Sequence, residues 1–98
     1  IYVSNDNGSG LLKITDNDAD DLLPSWSPGG NWLVFQSDRD SDMEIYKMKK
    51  DGTEQTRLTN SPGLDANADW SPDSSEIAFV SARNGNFDIY IISWPCVC

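Results

Sequence analysis

The sequence predicts an all-β fold, a β-propeller segment built from two four-stranded blades. Three observations lead there. The 98-residue chain repeats itself at an offset of 44 positions without a gap. Each period carries short strand-like runs separated by Pro, Gly and Asp turns. No stretch of ten or more residues spaces its apolar side chains at 3.6, so essentially no helix is expected.

The repeat is read residue by residue. Ile1-Tyr2 falls on Ile45-Tyr46, and that pair on Ile89-Tyr90. Gly8 falls on Gly52, Thr15 on Thr59 and Asp21 on Asp65. Trp26-Ser27-Pro28 falls on Trp70-Ser71-Pro72, and Phe35, Ser37 and Arg39 on Phe79, Ser81 and Arg83. Thirteen of the 54 pairs are identical, far above what composition alone produces. Ile14/Leu58, Leu33/Ile77, Lys13/Arg57 and Glu44/Asp88 are conservative. A fixed period of this length marks a repeat architecture.

Each element has a local reason. Leu22–Trp26 is a short apolar run, and Ser27-Pro28-Gly29-Gly30 breaks it with turn residues. Trp32–Phe35 has the aromatic and β-branched composition of a strand buried on both faces. Asp38–Asp42 is polar and reads as a loop. Glu44–Met48 is the next strand, Asp51-Gly52 a hairpin turn, and Thr56–Thr59 a more polar fourth strand. The second period follows the same plan through Ala68–Trp70, Glu76–Val80 and Asp88–Ile92. Four strands per 40–45 residues is the spacing of a propeller blade. A β-sandwich also spaces its strands every 8–12 residues, but it has no need to repeat their order and turn residues.

Composition narrows the function. A domain this small buries only about 60–65% of its unfolded surface. With no His, the chain cannot build a Ser-His-Asp triad, a Cys-His dyad or a His-liganded zinc site. Seven Lys and Arg against sixteen Asp and Glu give a net charge of −9, the wrong sign for nucleic acid or an anionic membrane. No apolar run reaches 18 residues, so no transmembrane helix is expected. The first residues do not read as a signal segment. A start at Ile1 rather than Met predicts a processed product or an excised piece.

The combined motifs resemble the WD-like repeats of the TolB-like β-propeller family. That pattern runs Leu-Thr, an acidic stretch, Pro-x-Trp-Ser-Pro-Asp-Gly, a strand ending Phe-x-Ser, an Arg, Ile-Tyr and Asp-Gly. Here it reads Ile14-Thr15, Pro24, Trp26-Ser27-Pro28, Phe35-Gln36-Ser37, Arg39, Ile45-Tyr46 and Asp51-Gly52. It recurs as Leu58-Thr59, Trp70-Ser71-Pro72-Asp73, Phe79-Val80-Ser81, Arg83 and Ile89-Tyr90. Departures are Gly29 for Asp, Ser74 for Gly and Ala68 for Pro. The resemblance covers residues 1–92, and the tail 93–98 has no match. It implies a six-bladed, non-enzymatic ring that binds protein or a small ligand at one face or the channel, in a periplasmic or secreted setting. Two other readings stay open: a propeller that gates a prolyl-oligopeptidase-like serine peptidase, and a sugar- or calcium-binding propeller.

The signature residues are expected to be structural. Trp26 and Trp70 are expected to wedge between blades, and Arg39 and Arg83 to brace loops through carboxylates. Ser27, Pro28, Phe35, Tyr46, Ser71, Pro72, Phe79 and Tyr90 complete the set. With strands a to d numbered from the axis outward, the chain reads c, d, then a to d, then a to c. That leaves one surplus c strand, an open edge and two exposed blade faces. A head-to-tail ring of identical chains cures all three. Three copies give six blades, with the Leu11–Thr15 strand of one chain completing its neighbour's sheet. Four copies, a swapped dimer, or a piece of a longer propeller are the other arrangements.

No cofactor or metal site is expected. Asp16, Asp18, Asp20 and Asp21 cluster in one loop and Asp38, Asp40, Asp42 and Glu44 in another. Neither fits a calcium loop: the Gly and Glu positions hold Met43 and Lys49, or Asp21 and Ser27. In the second period Asn84 and Asn86 replace Asp40 and Asp42, so solvated turns are the better reading. There is no G-x-S-x-G elbow, P-loop or dinucleotide fingerprint. Ser71–Ser75 breaks the sialidase turn at its Gly. Cys96 and Cys98 are too few for zinc and too close for an unstrained disulfide. Asn7-Gly8-Ser9 is formally a glycosylation sequon and reads first as a turn.

Overall fold

A computed structural model describes residues 1–17, 19–40, 42–60, 63–83 and 85–93. Asp18, Ser41, Asn84 and the tail with Cys96 and Cys98 lie outside them, so the expectations placed there rest on sequence alone.

Among the described residues nine antiparallel strands follow one another as three meanders. β1 (Tyr2–Val3) pairs with β2 (Leu12–Lys13). β3 (Asp21–Trp26), β4 (Trp32–Asp40), β5 (Asp42–Lys49) and β6 (Thr56–Arg57) form a four-stranded sheet in that order. β7 (Asp65–Trp70), β8 (Glu76–Ser81) and β9 (Asp88–Ser93) form a three-stranded sheet. The sheets have the up-and-down order of propeller blades, and no helix occurs among the described residues.

Period-2 alternation distributes the core between two seams. Val34 and Ile45 of the first blade pack with Ala68, Trp70, Ile77 and Phe79 of the second, flanked by Trp32, Leu58, Tyr90 and Ile92. The opposite sides of the same strands, Leu33, Phe35, Tyr46 and Met48, pack under Ile14, Ile1 and Val3 of the β1–β2 hairpin. Leu33, Val34, Phe35, Ile45 and Met48 are therefore all at most 2% exposed. A strand sealed on both faces reads as the continuous apolar run seen in the sequence.

Two expectations are corrected. The polar segment Asp38–Asp42 is not a long loop. β4 runs on to Asp40 and β5 begins at Asp42, with a register shift between Ser37 and Asp40 absorbing the turn. The fourth strand is shorter than Thr56–Thr59: its register pairs are Tyr46–Arg57 and Lys47–Thr56, and beyond them the Leu58 amide donates to the Ile45 carbonyl at 2.8 Å.

The inner strands share a feature the sequence does not announce. Register slips between Leu22 and Ser25 in β3 and between Ala66 and Asp69 in β7. Within these bulges Leu23 and Asn67, 44 positions apart, take positive φ of 51° and 55°. Asn tolerates that region and Leu does not.

Candidate functional site: arginine clasps and blade faces

The residues after each Phe-x-Ser build the same constellation twice. Phe35 and Tyr46 sit opposite each other on β4 and β5, and their rings stack at 5.8 Å. Arg39 lies over both, 5.4 Å from the Phe35 ring and 4.7 Å from that of Tyr46. Its Nε donates to Ser37 Oγ at 3.1 Å, and its Nη2 reaches Asp21 Oδ1 at 3.0 Å. In the second blade Phe79 and Tyr90 stack at 6.0 Å, with Arg83 above them at 5.6 and 4.3 Å. Arg83 Nε donates to Ser81 at 2.9 Å, and Asp65 lies 3.8 Å from its Nη2. Each clasp ties strands a, b and c together at one end. A guanidinium suits it, since a flat cation stacks on an aromatic face while its edge binds oxygens.

Burial opposes ionisation of Asp21, but hydrogen bonds from Ser37, Arg39 and Asn17 outweigh it, and its pKa is lowered. The first clasp is also locked from outside, where Arg39 Nη1 donates to Gln55 at 2.6 Å. Tyr46 donates its hydroxyl proton to Asp40, and burial together with that carboxylate pushes its pKa up to about 12. A cavity of about 380 Å³ opens beside Arg39, lined by Asn17, Ala19 and Asp38.

The complete blade holds a second polar centre that sequence reasoning missed. Glu44 is fully buried, accepting hydrogen bonds from Arg57 Nη2 and Thr59 Oγ1, both at 2.7 Å. Thr59 Oγ1 in turn accepts the Ile45 amide at 2.9 Å. The Ile1 amine donates to Thr15 Oγ1 at 2.8 Å in the equivalent position of the hairpin. The only signal was the pairing of Glu44 with Asp88 and of Thr15 with Thr59 across the repeat.

Acidic loops read as solvated turns are held by their own hydrogen bonds. Asn17 Nδ2 donates to Asp21 at 2.9 Å, and Asp38 Oδ1 accepts the Asp20 amide at 2.9 Å. Among the described residues no cluster of three or more metal-ligating side chains occurs. Nor is any described helix long and apolar enough to cross a membrane. The Asn7-Gly8-Ser9 segment is a turn in which Asn7 Oδ1 accepts the Ser9 amide at 3.0 Å.

The Trp-Ser-Pro turns are built alike. Ser27 Oγ accepts the Trp32 amide at 3.1 Å, and Ser71 Oγ accepts the Glu76 amide at 3.0 Å. Pro28 and Pro72 follow at the turn corners. Gly30, with φ of 75°, is matched by Ser74, with φ of 65°. Asp73 braces the second turn alone. Hydrogen bonds from Ser75 and Ser71 lower its pKa to about 2.

The tryptophans part company. Trp70 is 8% exposed in the seam between blades, its Nε1 donating to the Ser25 carbonyl at 3.1 Å. Trp26, expected to wedge likewise, is 46% exposed. The reason is positional: among the described residues only the outer pair β1–β2 packs on that face of the first blade, and no described inner strand covers Trp26. Leu22 and Leu23 on the same strand are exposed with it, and Ile89 and Ile91 are exposed on the far side of β9.

No protein-family model matches the chain. Among solved structures, one assigned as TolB from Agrobacterium tumefaciens overlays 99% of the chain at a TM-score of 0.87 and 30% identity, over 35% of its own length. TolB from Acinetobacter baumannii overlays 99% of the chain at a TM-score of 0.83 and 28% identity, over 24% of its own length. The chain thus spans about a third and a quarter of these two proteins. Backbone likeness along nearly its whole length, joined to a doubly built clasp and turn, makes this chain a TolB-like β-propeller segment.

Proposed function

We propose that the chain is a non-catalytic binding scaffold that closes its propeller with further copies of itself. Three copies of two blades give six, and the finished ring offers protein or a small ligand a face and a channel. The observation that carries the reading is the pair of uncovered blade faces. Leu22, Leu23 and Trp26 are exposed at one end of the segment and Ile89 and Ile91 at the other. Apolar sheet faces of this kind drive association, and β9 adds an edge that no described strand pairs. The likeness to TolB supports a binding role, and the net charge of −9 favours a cationic partner surface. Light scattering on a sizing column tests the assembly. A mass near three chains is expected; a single-chain mass with a cooperative melt overturns it.

A further inference from the structure

Resting on that self-assembly, we infer how two copies join: β9 of one copy takes the place of β1 in the next, and the next copy's Trp26 fills a pocket beside β9.

The seam between the two blades is the template. On its receiving side stand Ser25, Trp32, Val34, Ile45 and Lys47, and Trp70 is seated there with its Nε1 on the Ser25 carbonyl. Adding 44 to those positions gives Asp69, Glu76, Ala78, Ile89 and Ile91. These residues form the outer face of the second blade. A pocket of about 150 Å³ lies there, lined by Asp69, Trp70, Ser71, Glu76, Ala78 and Ile91. Subtracting 44 from Trp70 gives Trp26, the half-exposed indole at the other end. One chain therefore carries an unfilled seat and an unseated plug of matching repeat position. Such a pair is heterologous and joins copies head to tail.

The polar contacts carry over as well. Ser25 Oγ donates to Asp69 Oδ1 at 3.4 Å inside the chain. At the junction between copies Asp69 occupies the position of Ser25, and Ser25 that of Asp69. The same pair forms again with its sides exchanged, and the Trp26 Nε1 gains the Asp69 carbonyl.

One strand must yield, because β1 and β9 hold the same repeat position 88 residues apart. β1 is two residues long, with two register pairs to β2, Tyr2–Lys13 and Val3–Leu12, and two hydrogen bonds at Ile1, whose carbonyl accepts the Ile14 amide at 3.0 Å and whose amine donates to Thr15 Oγ1 at 2.8 Å. β9 has six pairs with β8. Ile89 and Ile91 match Ile1 and Val3, the side chains that cover Leu33, Phe35, Tyr46 and Met48. β9 thus brings equivalent apolar side chains to the same seats, and its free edge pairs with β2.

The test uses the 98-residue chain and light scattering over a range of concentrations, with circular dichroism as the check on folding. Trp26→Ala removes the plug and Ile91→Glu spoils the seat; both side chains are solvent-exposed in the single chain. Each variant alone is expected to run as one chain, and an equimolar mixture as a two-chain complex, because each retains the surface the other lacks. Val3→Asp, which loosens β1, is expected to tighten wild-type assembly several-fold. If Trp26→Ala or Ile91→Glu assembles like wild type, or Val3→Asp does not tighten assembly, the junction is wrong while self-assembly stands. If wild type is a single chain at every concentration, the proposed function itself fails.

Discussion

The two repeats carry the same residues into different surroundings, and their differences show what a blade owes to its neighbours. Trp70 and Trp26 occupy the same step after the same bulge. One is sealed against the first blade and the other is half in water. Ile45 is fully buried, yet Ile89 is 69% exposed. Glu44 sits in a closed network with Arg57 and Thr59. Its counterpart Asp88 lies at the edge of a sheet with no fourth strand among the described residues. Gly52 would bring a Cβ within 2.5 Å of the Ile14 carbonyl oxygen, whereas the matching Gly8 meets nothing within 4 Å. Identity of type does not set burial; the presence of the next blade does.

The largest expected effect tests the tryptophans. Trp70→Ala should cost about 3–5 kcal/mol, the usual range for emptying a buried aromatic site. For a small domain that is a large share of the total stability. Trp26→Ala should cost clearly less in the single chain, since about half of the Trp26 surface stays in water on folding. Urea denaturation reads both, and equal losses would break the comparison.

Next come the carboxylates. Glu44→Ala leaves Arg57 and Thr59 without their shared acceptor and should destabilise by about 3 kcal/mol. Asp88→Ala should stay within about 0.5 kcal/mol in the single chain, as for an exposed edge position. A comparable loss at Asp88 would show that a fourth strand covers it in solution.

The turns give a smaller and signed effect. Ser74 holds a positive φ that its counterpart Gly30 holds freely. Ser74→Gly should stabilise by about 1 kcal/mol, and Gly30→Ser should destabilise by about as much. Open space lies around Gly30, so strain alone decides the second value. Thermal melts that move in the same direction would show the two turns are not equivalent.

The smallest effect is an acid one. A carboxylate whose folded pKa is lowered adds stability above its unfolded pKa and loses it as the pH falls through the folded value. Asp73, at about 2 against an ordinary 3.8, acts between pH 4 and 2. Asp73→Asn should flatten the fall of Tm over that window. Gly29→Asp, which copies the brace into the first turn, should steepen it.

Much of this was legible in the residues. Strand order, the Asp51-Gly52 hairpin and the pairing of Trp-Ser-Pro turns all follow from turn chemistry and a fixed period, which act over a few residues. The arginines were legible as carboxylate partners, but their stacking on Phe35–Tyr46 and Phe79–Tyr90 was not. That contact needs strands b and c side by side. The Glu44 network was hidden for the same reason, since Glu44 and Thr59 meet only when β6 folds back on β5. The polar run Asp38–Asp42 misled, because a bulge lets charged residues stay in register at a sheet end where their side chains reach water.

The sequence by itself determined the all-β class, the 44-residue period and the residue types at every turn, because backbone preferences and alternation are local. Only the tertiary structure decided which of two identical tryptophans is buried, which arginine holds its carboxylate closely, and where the apolar faces stand open. Burial depends on what lies across the seam, and each half of this chain has a different neighbour.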